Sequence, residues 1–188
     1  MKKGTIVLLS ILGGVLLLVI IVVFMYRGSY NTAVSLQEDV DKAWADVGAQ
    51  YQRRADLIPG LIETVKGAAA NEKDILTKVT NARAGIVNAK TPEELEMYGR
   101  EINTAINLAF EAYPEIKSTD NFKDFQKDLS STENRIAYSR SKYNEAVRNY
   151  NAHIRGFFNS MFLNSETFPK KEPFKQTEGS EKAVEVKF

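Results

Sequence analysis

The chain contains one histidine, His153, and no cysteine, and these two counts remove most side-chain chemistry at once. Without thiols there is no disulfide, thiol nucleophile, Cys-ligated zinc or lipidated N-terminal cysteine. Di-metal sites in helical bundles use Glu-x-x-His pairs, but the residue three positions before His153 is Tyr150. A lone histidine also falls short of the several ligands that a zinc site collects. A Ser-His-Asp hydrolase would have only His153 as its base, and no nucleophile elbow or glycine-rich phosphate loop accompanies it. The sequence therefore assigns no catalytic, cofactor-binding or metal-ligating residue and predicts a protein that is not an enzyme and takes no cofactor. His153 itself reads as an exposed or half-buried helix residue.

Two polar clusters remain. Arg53, Arg54 and Asp56 lie beside Pro59, and Glu133, Asn134 and Arg135 lie far downstream. If the segments that carry them pack antiparallel, the clusters meet, either as a polar binding surface or as an ion-pair network that fixes helix register. The network is the expected role, because interhelical polar pairs commonly set register. Tyr51, Tyr138, Tyr143 and Tyr150 form an aromatic series that reads as core packing with hydroxyls reaching the rim, rather than as a cofactor box.

The segments that position these residues are helical. Only 5 prolines and 11 glycines punctuate the 188 residues. From Tyr30 to about Lys66 the apolar residues Val40, Trp44, Val47, Tyr51, Ile58, Ile62 and Val65 recur at spacings of bundle packing, with a kink expected at Pro59-Gly60. A break is expected at Gly67 to Asn71. A second helix then runs to about Ala89, with Ile75, Val79, Ala82 and Ile86 on one face. Thr91-Pro92-Glu93-Glu94 is a capping-box start for a third helix, which carries Leu95, Tyr98, Ile102, Ala105, Ala109 and Tyr113 and ends at Pro114. After capping residues at Ser118 to Asn121, a fourth helix holds Phe122, Phe125, Leu129, Ile136, Tyr143, Val147, Tyr150, Ile154 and Phe157 in heptad rhythm.

Ahead of these helices, Thr5 to Phe24 is an uncharged, mostly apolar run. About 20 residues make a helix of ~30 Å, the thickness of a bilayer's hydrocarbon core. The run outlasts a signal peptide's apolar region and ends without a small-x-small site, so it reads as a retained anchor. The fold class is thus all-α: an N-terminal transmembrane helix followed by an antiparallel bundle of about four long helices. The expected divisions are an anchor over residues 1–29 (span about 5–26), a bundle over 30–159 and a flexible tail over 160–188. Gly28-Ser29 reads as a joint between anchor and bundle, and the Pro, Lys and Glu of the tail read as mostly disordered. Val184, Val186 and Phe188 alternate as a partner-binding strand would, although a frayed terminus is the simpler expectation.

Several of these residues resemble a known family. Gln50-Tyr51-Gln52-Arg53-Arg54-Ala55-Asp56-Leu57-Ile58-Pro59, continuing Leu61-Ile62-Glu63-Thr64-Val65-Lys66-Gly67, is similar to the signature of LemA proteins. So are Thr132-Glu133-Asn134-Arg135-Ile136-Ala137-Tyr138, Tyr143-Asn144, Tyr150-Asn151, Tyr30-Asn31 and Val40-Asp41-Lys42-Ala43-Trp44. The resemblance covers about Tyr30 to Phe158. It departs at Gly60, where asparagine is expected, and in the apolar stretch near the C-terminus. It implies an anchored antiparallel bundle, brings no catalytic residues, and suggests a link to a membrane metalloprotease of quality control.

The expected function is a non-enzymatic membrane scaffold or adaptor that self-assembles at the bacterial cell envelope. The alternative is a sensor or regulatory adaptor of a membrane partner. Expected partners are the lipid bilayer, further copies of the chain and a membrane protein. With 25 basic against 24 acidic residues, nucleic acid is not expected. Lys2 and Lys3 precede the span and only Arg27 follows closely, which puts the bundle on the outer or periplasmic side of the cytoplasmic membrane. A returning fourth helix brings Phe157, Phe158, Met161 and Phe162 near the bilayer, either to touch lipid or a neighbouring subunit or to pack the end of the bundle.

Overall fold

The computed structural model describes residues 3–63, 69–112 and 120–175. The elements are α1 (Lys3–Glu63), α2 (Ala69–Asn88), α3 (Pro92–Ala112), α4 (Asp120–Ile154) and the short α5 (Asn159–Phe162). No strand occurs among the described residues. After α5 the chain turns and runs on as an extended strap to Lys175.

These elements follow from local chemistry. At the start of α3, Thr91 Oγ1 accepts the Glu94 N–H at 3.2 Å, and Pro92 occupies the first helical position, where no N–H is required. The Glu94 carboxylate reaches back to the N–H of Lys90 at 2.8 Å, one residue earlier than an ordinary capping box. The apolar face expected on α2 is buried in full: Ile75, Val79, Ala82 and Ile86.

The chain forms two compact units. The bundle unit comprises Asp41–Glu145 and the strap from Glu172. Its core is Val47, Tyr51, Ala55 and Ile58 of α1, the α2 face, Leu95, Ile102, Ala105 and Ala109 of α3, and Phe125, Ile136 and Tyr143 of α4. Within it α1 and α4 run antiparallel, since Trp44 meets Tyr143 while Arg54 pairs with Glu133. Close approach is built into α2 and α3. The Tyr98 ring covers Gly85, where a Cβ would lie 2.1 Å from it, and the Tyr51 ring covers Gly99 at 2.4 Å. The anchor unit comprises α1 through Val40 together with Ala146–Lys171. It buries Ala33, Val40, Val147, Tyr150, Leu163 and Phe168.

Two expectations need correction. Gly28-Ser29 is not a joint, because α1 is one helix of 61 residues from the apolar run into the bundle. Tertiary partners hold Ser29 in place: its hydroxyl donates to Asn159 Oδ1 at 2.9 Å, and it is 8% exposed. Pro59 lies inside α1, which continues a further turn to Glu63. The tail drawn as flexible from residue 160 packs through Lys175, since Phe168 and Phe174 are buried at 5% and 3% exposure. The Gly67 break, Val65, Tyr113, Pro114, Ser118-Thr119 and the Val184 to Phe188 alternation lie outside the described residues.

Among the described residues one helix, near the N-terminus, is long and apolar enough to cross a membrane. Its side chains from Val7 to Met25 are exposed throughout. Surface of that size and character is unfavourable in water and suits hydrocarbon.

Candidate interaction site

The most developed polar site in each unit is made by a Tyr-Asn pair on α4, and its ligand is the strap. Tyr143-Asn144 and Tyr150-Asn151 are seven residues apart, two helical turns, so they share one face of α4.

In the bundle unit, the Tyr143 hydroxyl donates to the Glu172 carbonyl at 3.1 Å. Asn144 Nδ2 donates to the Phe174 carbonyl at 3.0 Å, while its Oδ1 accepts the Phe174 N–H at 2.8 Å. A side-chain amide has one donor group and one acceptor, so here it pairs with the backbone of a single residue as a neighbouring β-strand would. In the anchor unit, Tyr150 donates to the Pro169 carbonyl at 3.1 Å. Asn151 donates to the Lys171 carbonyl at 2.8 Å and accepts its N–H at 3.1 Å. Both pairs read main chain, so they recognise an extended conformation. Pro169 and Pro173 favour that conformation by restricting their own φ and holding the preceding residues, Phe168 and Glu172, extended.

Side chains of the strap supply the apolar part. The Phe174 ring stacks on Trp44 with centroids 6.0 Å apart, meets Tyr143 edge-on at 5.3 Å, and lies 4.9 Å from the Arg140 guanidinium. Arg140 also donates to the Lys175 carbonyl at 3.1 Å and pairs with Glu96. Phe168 meets the Tyr30 ring edge-on at 5.3 Å. Burial pushes the Tyr143 hydroxyl up to about 12, with the charges of Asp41, Glu172 and Glu93 adding to the shift. At neutral pH it is therefore a firm donor to the Glu172 carbonyl. Tyr51 is raised as well, chiefly by burial.

The other residues singled out from sequence fall elsewhere. His153 is half-buried in the anchor unit, where Nε2 donates to the Ser29 carbonyl at 3.0 Å. A carbonyl only accepts, so the proton sits on Nε2, and Nδ1 is left to accept from Asn159 Nδ2 at 3.3 Å. Of the two polar clusters, Arg54 and Glu133 do pair, whereas Asp56 pairs with Arg83 of α2 at 2.7 Å. Asn134, Arg135 and Tyr138 line an open groove of about 730 Å³ with Asp46 and Gln50 of α1. Tyr51, Tyr143 and Tyr150 are buried; Tyr138 is 66% exposed. Among the described residues no three His, Asp or Glu side chains gather as a metal-binding group.

Sequence reasoning noted the Tyr-Asn pairs as part of a family signature but not as a site, and assigned Phe168 and Phe174 to the tail. The available signal was the identical pair recurring after seven residues, followed downstream by two Phe residues within a Pro-punctuated stretch.

The model of the LemA family matches residues 43–188. The chain is also similar to Protein LemA of Metamycoplasma hominis, 26% identical over 139 residues that cover 72% of this chain and 64% of the relative. Magnetosome protein MamQ 2 of Paramagnetospirillum magneticum is 26% identical over 155 residues, covering 66% of this chain and 57% of the relative. The chain thus spans about three fifths of the length of these curated relatives.

Proposed function

The chain belongs to the LemA family, and we propose that it acts as a non-enzymatic, membrane-anchored helical scaffold or adaptor. The observation that carries this reading is the chemistry of the Tyr-Asn pairs. Asn144 and Asn151 spend both halves of their amides on peptide backbone, which is recognition chemistry and transforms no bond. The apolar first part of α1 supplies the attachment. The lysines ahead of it favour a bundle on the outer or periplasmic side of a bacterial cytoplasmic membrane. A magnetosome protein among the relatives fits a membrane setting.

In this reading the helical units present surfaces for side-by-side assembly with further copies. The alternative, a regulatory adaptor of a membrane protein such as a quality-control metalloprotease, uses the same anchor and differs in its partner. Photo-crosslinking residues at exposed Tyr138 and Lys170, used in native membranes, separate the two. A ladder of chain multiples is expected for the scaffold and a discrete heterologous band for the adaptor. Efficient crosslinking that yields monomer alone overturns both. A single cysteine at Lys170, probed with an impermeant maleimide in intact cells, tests sidedness; labelling is expected, and protection reverses the assignment.

A further inference from the structure

The turn between α4 and α5, together with α5 itself, leaves three large apolar side chains open: Phe157 is 76% exposed, Phe158 62% and Met161 70%. The two phenylalanine rings meet edge to face at 5.2 Å, so they form a patch rather than scattered exposures. Phe162, the fourth apolar residue of this stretch, turns inward to meet Tyr26 edge-on, with centroids 6.1 Å apart.

The position of the patch is fixed within the anchor unit. Asn159 accepts the Ser29 hydroxyl, His153 donates to the Ser29 carbonyl, and Phe162 packs on Tyr26. The corner is therefore pinned to the turn of α1 that follows the apolar run at Phe24-Met25. From Phe24 to Ser29 a helix rises about 7.5 Å. The polar layer on each side of a bilayer's hydrocarbon is about 5–7.5 Å deep. With the apolar run in hydrocarbon, the corner stands at headgroup level, where aromatic side chains and Met pack among glycerol and upper acyl groups. Arg155, two residues before Phe157, and Arg27, two before Ser29, are exposed and suit headgroup phosphates.

We propose that Phe157, Phe158 and Met161 form a lipid-contacting foot, a second attachment that seats the anchor unit on the bilayer interface beside its own span. The proposal rests on the membrane-anchored reading of α1. It assigns the patch to lipid because the corner that carries it is pinned to the end of the exposed apolar run.

The absence of native cysteine makes the test direct. Single cysteines replacing Phe158, Met161, Leu16 and Lys170 in the full chain are spin-labelled and reconstituted into phosphatidylcholine–phosphatidylglycerol vesicles. Collision rates with oxygen, which concentrates in lipid, are compared with those of a water-soluble nickel chelate. All four positions are exposed, so the labels leave packing intact. The expected result is an oxygen-to-nickel ratio several-fold higher at Phe158→Cys and Met161→Cys than at Lys170→Cys, and highest at Leu16→Cys. Nickel-dominated collisions at 158 and 161, with Leu16→Cys in lipid, overturn the foot alone. Low rates with both reagents at 158 and 161 overturn it in favour of a protein neighbour. A water-exposed Leu16→Cys overturns the anchored reading itself, and the foot with it.

Discussion

Asn144 and Asn151 hold the strap by the same two bonds, yet the rings beside them are housed differently. In the bundle unit Phe174 is met by Trp44, Tyr143 and the Arg140 guanidinium. In the anchor unit Phe168 is met by Tyr30. The amide pairs fix which strap residue sits where, because a slip of one residue would leave Asn144 facing Pro173 or Lys175 instead of Phe174. A proline has no N–H for the Asn oxygen to accept, so one direction of slip loses a bond outright. The aromatic housing sets how firmly each half is held. The polar repeat supplies register and the ring contacts supply most of the free energy.

The largest expected effect breaks the comparison at its unequal part. Phe174→Ala should destabilise the chain by about 3–5 kcal/mol, the usual cost of removing a buried phenylalanine. Phe168→Ala should cost less, since its ring has fewer partners in the described residues. Denaturant unfolding followed by circular dichroism in detergent micelles measures both, and equal losses would remove the distinction between the housings.

Next in size, Asn144→Ala and Asn151→Ala should each cost about 1–2 kcal/mol, two hydrogen bonds at ordinary net strength. Their local readouts differ. Trypsin should cut sooner after Lys175 in the first variant and after Lys171 in the second. A change of cutting at the same lysine in both variants would show that the strap opens as one piece.

A smaller effect tests the hydroxyl. Tyr143→Phe removes one hydrogen bond, about 1 kcal/mol, and should also alter the alkaline response. Folding raises the Tyr143 pKa from its ordinary 10 to about 12, so the neutral phenol is the form that folding favours. The associated stability is complete below pH 10 and is lost as pH rises through about 12. Alkaline titration of tyrosine absorbance at 295 nm should lose a component near 12 in Tyr143→Phe. An unchanged profile would dismiss burial as the cause of the shift.

The smallest effect belongs to the exposed pair of Lys175 and Glu93, 3.2 Å apart. Folding lowers the Glu93 pKa, first through a backbone hydrogen bond and then through Lys175. Lys175→Gln should leave thermal unfolding at neutral pH unchanged, because solvent screens such a pair. A clear drop would mean that the strap end is held by charge as well as by Phe174.

Much of the fold was legible in the sequence because it rests on local periodicity. The buried face of α2, the Thr91 cap and the antiparallel pairing of Arg54 with Glu133 all follow from spacings of three, four and seven. What was not legible depends on distant partners. Ser29 looked like a hinge residue beside Gly28, but Asn159 and His153, distant in sequence, hold it in place. The strap looked disordered because its Pro, Lys and Glu content outweighs two phenylalanines in any compositional average. Its backbone groups are nonetheless satisfied by amides 20 and 30 residues away. Phe157 continued the heptad on paper, but α4 ends at Ile154 and the residue emerges exposed.

The unbroken passage of α1 through Gly28-Ser29 has a mechanical consequence. A jointed tether would let the span turn or tilt while the rest of the anchor unit stayed still. A continuous helix acts as a shaft, so a twist applied to the residues before Arg27 arrives at Ser29 and Tyr30 undiminished. Each residue of register amounts to about 100° of rotation. Ser29 and Tyr30 are the residues that hold His153, Asn159 and Phe168. Torque on the apolar run is therefore delivered to the residues that seat Phe168.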